Sequence, residues 1–215
     1  MCTAAWLRRF VVALSALGIG AAAQATTVLV DFDSIASGAT ANSAVTGLGF
    51  RFDLASYLPA LDGFGDPIPG SEAYRPDPSP VDDARVNDPS TRGYGTAPSP
   101  LNALDALDQG VLITFDTPTD LASFAATLDV SVLGFPGTFD IVFQDTAGGV
   151  LHLLPTAQSV PGFLAALSGP LLDVASIYLP SGAYYDNLTI ASVPEPGLAW
   201  LLGISAAGLL SWRRR

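Results

Sequence analysis

The stretch "GTFDIVFQDTAGGVLHLL" spans residues 137–154. Successive side chains of an extended chain point to opposite faces, so Phe139, Ile141 and Phe143 fall on one side and Asp140, Val142 and Gln144 on the other. Asp145-Thr146-Ala147-Gly148-Gly149 then supplies turn chemistry before an apolar run resumes at Val150. The pattern predicts a β-hairpin.

The same signature recurs outward from this hairpin. Residues 26–32, 47–54, 110–116, 121–130, 162–167, 173–180 and 184–191 are short, rich in β-branched and aromatic residues, and punctuated by Gly, Pro and Asp. With 137–145 and 149–155 they make nine candidate strands. No helix competes: Leu104 to Leu107 is too short and too close to prolines for more than one turn. The reading is an all-β domain over residues 26–192, a two-sheet antiparallel sandwich of jelly-roll type. Residues 59–100 interrupt it with nine prolines and no sustained period, and are predicted as a long Pro/Gly/Asp-rich loop. Such a loop is either flexible decoration or functional. In the second case the carboxylates of Asp62, Asp66, Asp82, Asp83 and Asp88 would accept hydroxyl hydrogen bonds, while Tyr57, Phe64, Tyr74 and Tyr94 stack on sugar rings.

Charge narrows the partners. The chain has 215 residues, nine arginines and no lysine, and five of those arginines (Arg8, Arg9, Arg213, Arg214, Arg215) sit at the two ends. The middle segment therefore sets four arginines against nineteen of the twenty carboxylates, a net charge of −15. Phosphate binding needs a basic patch, so nucleic acid is excluded as a partner. Cations and neutral sugars remain.

Both ends are apolar. Arg8 and Arg9 precede a run from Phe10 to Ala23 whose only polar side chain is Ser15, followed by Ala23-Gln24-Ala25. That order predicts a secretory signal peptide over 1–25, read by the secretion translocon and cleaved after Ala25; the alternative is a retained anchor. The sole cysteine, Cys2, would leave with it, so the mature chain forms no disulfide. At the other end stands "VPEPGLAWLLGISAAGLLSWRRR" (193–215). Its apolar residues 197–212 would reach about 24 Å as a helix, short of the roughly 30 Å hydrocarbon core. Interfacial Trp200 and Trp212 and snorkelling arginines make a short transmembrane helix feasible. The positive-inside rule puts the basic tail Arg213, Arg214, Arg215 in the cytoplasm and residues 26–192 outside. Pro194 and Pro196 keep Val193-Pro194-Glu195-Pro196 extended, in a form that a processing enzyme can take as a strand. The alternative is a permanent C-terminal anchor.

Val193, Pro194, Glu195, Pro196, the small-residue apolar span and the terminal arginines resemble the PEP-CTERM sorting signal of Gram-negative bacteria that make exopolysaccharide. The resemblance implies that a membrane-embedded exosortase reads the Pro-Glu-Pro stretch and removes the tail. It further implies an inner-membrane intermediate and a final place at the cell surface or outside the cell, in an extracellular or biofilm matrix. "DFDSIASGATANSAVTGLGFRF" (31–52), "APSPLNALD" (97–105) and "YYDNLTI" (184–190) resemble the recurring layout of surface domains that carry this signal.

Two site readings follow. First and last strands of a jelly roll are often neighbours, which would bring Asp31, Asp33, Asp186 and Asn187 together. Such oxygen ligands suit a structural Ca²⁺, and the alternative is capping of backbone donors at strand ends. Enzymatic chemistry has little support. His152 is the only histidine and lies in an apolar strand, no G-x-S-x-G or H-E-x-x-H is present, and Glu72 is the only glutamate of the middle segment. The expectation is a non-enzymatic surface or matrix protein that binds or organises exopolysaccharide. The alternative is a secreted polysaccharide hydrolase, a glycoside hydrolase using an aspartate pair.

Overall fold

The computed structural model describes residues 26–64, 66–69, 71–78, 83–92, 102–130, 138–157 and 162–193. Residues Thr27–Ser192 form one compact unit. Its strands are β1 (Thr27–Val30), β2 (Phe50–Leu58), β3 (Ala73–Pro76), β4 (Arg85–Asn87), β5 (Ala103–Ala106), β6 (Val111–Val130), β7 (Thr138–Gln144), β8 (Val150–Ala157), β9 (Phe163–Leu179) and β10 (Ala183–Ser192). Among the described residues helical structure is limited to two 3₁₀ turns, Ala41–Ala44 and Pro89–Arg92. No helix there is long and apolar enough to cross a membrane. The predicted signal peptide and the predicted tail helix lie outside the described residues.

The all-β expectation holds, and every strand pair is antiparallel. The predicted hairpin is β7–β8, with Ile141 opposite Leu154 and Phe143 opposite His152. Hydrogen bonding is continuous through ten strands, in the order β4-β5-β10-β6-β9-β7-β8, with β1 on β10 and β2 on β6. Two strands make this continuity. The first part of β6 pairs with β2, and its later part with β10; β9 lies along both parts.

Sequence reading divides each of these long strands in two, at 116–121 and at 167–173. The punctuation is real but marks bends. Pro118 lacks a ladder donor, Gly169 adopts φ 114° and precedes Pro170, and the β6–β9 register shifts between Thr114 and Ser123. Asp173, itself at φ 56°, donates its N–H to Asp120 Oδ1 at 2.9 Å across the bend. The stretch 59–100 is also more ordered than predicted, since it contains β3 and β4, and Leu104 belongs to strand β5. Among the described residues β3 pairs only with β2, which leaves an edge where Pro76 needs no donor.

Alternation places the core. On one half of the sheet a row crosses β2, β6, β9 and β7 as Phe52, Ile113, Ile177 and Phe143, all fully buried. On the other half Val30, Leu188, Ala126 and Ala165 are buried in the same sense. The rows meet where Phe124 of β6 contacts Phe143 of β7 edge-on, with ring centroids 5.4 Å apart. Phe32 and Phe52 make a tilted contact, with centroids 5.8 Å apart. Each buried Phe contributes about 1.5–3 kcal/mol, so these rings are the main cohesion of a domain without disulfides.

Candidate functional site

The row on the opposite face runs Asp53, Leu112, Tyr178, Val142 and Leu153 across β2, β6, β9, β7 and β8. A solvent-facing row should be polar, yet Leu112 and Val142 are buried. The cover is the far end of the β2–β3 hairpin, in which Tyr57 pairs with Tyr74 and Leu58 with Ala73. The hairpin approaches the β7–β8 turn so closely that a Cβ on Gly148 would lie 2.4 Å from that of Ala73. Tyr74 lies flat on Tyr178, with centroids 3.5 Å apart and planes 6° apart, and Tyr57 meets Tyr74 edge-on at 5.1 Å.

A latch holds the hairpin down. Asp77 Oδ2 accepts from Ser56 Oγ at 2.7 Å and from Gln109 Nε2 at 2.9 Å, while Gln109 Nε2 also donates to the Ala55 carbonyl at 2.9 Å. Beside the latched hairpin opens a cleft of about 430 Å³, walled by Tyr57, Tyr74 and Tyr178 and floored by Val142, Leu153 and Asp140. Its rim is apolar and wet: Tyr57 is 61% exposed and Val150 60%. Burial, and then the neighbouring Tyr74, push the Tyr178 hydroxyl up to about 12. Tyr74 is raised by burial and then by Tyr57. These two phenols therefore stay protonated and uncharged at neutral pH; they stack on and hydrogen-bond to each other, and the ring most open to solvent is Tyr57. The arrangement stacks and hydrogen-bonds.

Of the loop residues singled out in the sequence, Tyr57 and Tyr74 come together here. Phe64 is 95% exposed and belongs to a separate turn in which Asp62 Oδ1 accepts the N–H groups of Phe64 and Asp66. Asp88 likewise accepts from Ser90 N and Oγ. Asp82 and Tyr94 lie outside the described residues. Sequence reading missed Tyr178, Asp140 and Leu153. The available signal was Val142, an apolar residue on the nominally polar face of β7.

Asp31, Asp33, Asp186 and Asn187 all lie just past one end of the β1–β10 ladder. β1 does pair with β10, Val30 opposite Leu188, so Asp31 and Asn187 follow at the next step. There β10 exchanges β5 for β1 as its neighbour. The exchange occurs at a bulge between Asp186 and Thr189, with Asn187 at φ 49°. Fully buried Asp186 accepts the Asn187 N–H on Oδ1 at 2.7 Å. Asp31 Oδ1 accepts the Asp33 N–H at 2.9 Å, and Asp33 Oδ1 accepts the Asn102 N–H at 3.2 Å, just before β5. Ca²⁺ needs six to eight converging oxygens. Among the described residues no group of three or more His, Cys, Asp or Glu side chains is placed to hold a metal ion. As placed, the four residues fit the capping alternative better than the cage.

A second, smaller cleft of about 250 Å³ is lined by Asp83, Arg85, Asn87, Asp105 and Asp108. Asp105 is committed within it, accepting from Asn87 Nδ2 at 2.7 Å and from the Leu107 N–H at 3.0 Å. His152 is half-buried on β8 and makes a tilted contact with Phe143, ring centroids 6.0 Å apart.

The last strand ends at Ser192, and Ala191 beside it pairs with Thr27. Both ends of the domain thus leave from neighbouring strands. The PEP-CTERM protein-sorting motif matches residues 192–215, beginning where β10 stops. The chain carries a PEP-CTERM sorting signal. That signal marks an exported protein sorted by exosortase, a membrane enzyme, and processed in association with the membrane. No curated protein matches the chain. Val193, half-buried, is the last described residue. Pro194, Glu195, Pro196, the span 197–212, Arg213, Arg214, Arg215, Ala23 and Ala25 lie outside the described residues.

Proposed function

We propose that the exported domain is a non-enzymatic, jelly-roll-like sandwich that binds or organises exopolysaccharide at the cell surface or in the extracellular matrix, after exosortase has removed the tail. The tyrosine cleft carries this reading. Sugar rings expose apolar C–H faces and a rim of hydroxyls, and the cleft offers aromatic faces with polar groups between them. The acidic surface keeps the protein soluble and apart from polyanions. The test is a glycan array probed with wild-type protein and with Tyr57→Ala. Tyr57 is exposed, so its loss should remove glycan retention while leaving stability within about 0.5 kcal/mol. Undiminished retention by the variant sinks the reading.

The second reading, a polysaccharide hydrolase with an aspartate pair, is favoured by the cleft that gathers Asp83, Asp105 and Asp108. Its test is glycan turnover that disappears in a single Asp→Asn variant.

A further inference from the structure

We propose that the tyrosine cleft takes an amine-bearing polysaccharide, a polymer containing protonated amino sugars, with Asp140 as counter-ion to the ammonium group; this rests on reading the cleft as a glycan platform. Three observations support it. Asp140 is the one charged side chain among the described residues lining the cleft, and it sits half-buried on β7 opposite Pro155 of β8. Aromatic walls stand around it, and the negative face of a tyrosine ring attracts an ammonium group in addition to stacking on the sugar that bears it. Three of the domain's four arginines are engaged elsewhere: Arg51 pairs with Asp53 at 3.1 Å, Arg75 Nε donates to the Leu58 carbonyl at 3.3 Å, and Arg85 donates to the Gly38 carbonyl at 3.0 Å.

Charge decides among the sugar classes. A uronate polymer entering the cleft would meet a carboxylate, no cation, and a domain that carries −15 over residues 26–192. A neutral polymer would gain ring stacking and hydroxyl hydrogen bonds without the charge attraction. A protonated amine gains stacking, the ring quadrupole and a partly desolvated carboxylate together, where the lower dielectric strengthens the attraction.

The experiment is calorimetric titration of the full-length protein in detergent, at low salt and pH 6, with three hexamers: glucosamine, N-acetylglucosamine and a uronic acid. The glucosamine hexamer is expected to bind about tenfold tighter than its acetylated counterpart, a difference of one charged contact, with no detectable uronate binding. Asp140→Asn should erase the amine preference and keep the residual affinity for the acetylated hexamer. Tyr57→Ala should weaken both. Equal or tighter binding of the acetylated or uronic hexamer, or an amine preference that survives Asp140→Asn, overturns the amine proposal and leaves the glycan platform standing. Glucosamine binding indifferent to Tyr57→Ala also overturns it, as adsorption to the acidic surface. Failure of all three hexamers overturns the platform and this proposal together.

Discussion

Gly110 lies against the Cε2–hydroxyl edge of the Tyr178 ring. A Cβ on Gly110 would come within 2.3 Å of Tyr178 Cε2 and 2.6 Å of its hydroxyl oxygen. The side chain that the glycine lacks is what lets Tyr178 lie flat under Tyr74. Gly110→Ala forces the ring to move, and overpacking of this kind costs about 1–3 kcal/mol. The variant should unfold at lower urea, lose near-ultraviolet tyrosine ellipticity and bind glycan more weakly. Wild-type stability with an unchanged tyrosine spectrum would show that the ring does not need the gap.

The same tyrosines set an alkaline limit. Tyr178 is raised from 10.0 to about 12, chiefly by burial, so below pH 10 it is protonated in both folded and unfolded chains and costs nothing. Between pH 10 and about 12 the unfolded chain ionises first and gains relative to the folded one. Stability is therefore expected to fall across that window. Buried Tyr185, raised well above 10.0 and donating to the Pro180 carbonyl at 2.8 Å, adds to the slope in the same sense. Tyr178→Phe keeps the ring and removes one ionisation, so urea midpoints measured from pH 9 to 12 should decline less steeply. An unchanged slope would mean that Tyr178 titrates normally.

The Asp186–Asn187 bulge has a distinct signature. Asp186 is fully buried and holds the Asn187 N–H. Asp186→Ala leaves that donor without its acceptor and should cost about 1–3 kcal/mol. If these residues cap the junction, the loss is the same in calcium and in chelator. If they form the cage that their composition suggests, chelation lowers the wild-type melting temperature and the variant no longer responds. Thermal melts of both proteins in both buffers separate the two.

How far the sequence reaches can be read from particular residues. Phe139, Ile141 and Phe143 placed the β7–β8 hairpin because period-two alternation is local information. The same alternation assigned Val142 and Gln144 to a polar face, and both are buried. Their cover arrives from Ala73 and Tyr74, which no local pattern connects to them. Pro118 and Gly169-Pro170 read as chain reversals, since nothing in the sequence separates a turn from a bend in a strand held on both sides. Tyr57 and Tyr74 were legible as candidates by their acidic, proline-rich surroundings. Tyr178 was not, because the contact that places it at the cleft joins β3 to β9 across about a hundred residues. The β1–β10 neighbourhood was foreseen from topology, but the bulge that uses Asp186 and Asn187 was not, since a register shift depends on both partners.

Processing provides the last prediction. β10 ends at Ser192, still paired with Leu121, and the sorting motif starts at the same residue, so folded domain and recognition sequence adjoin without a spacer. Proline fixes φ and disfavours helix at the residue before it, so Pro194 and Pro196 are expected to matter to recognition through backbone shape. Replacing both prolines with alanine removes that constraint on the backbone. Intact-mass measurement of protein recovered from the native host should then find residues 197–215 retained in the membrane fraction. The wild-type chain should be recovered without them and without residues 1–25. A wild-type mass that still includes the tail would make the segment an anchor, and normal trimming of the alanine variant would show that the prolines are not what exosortase reads.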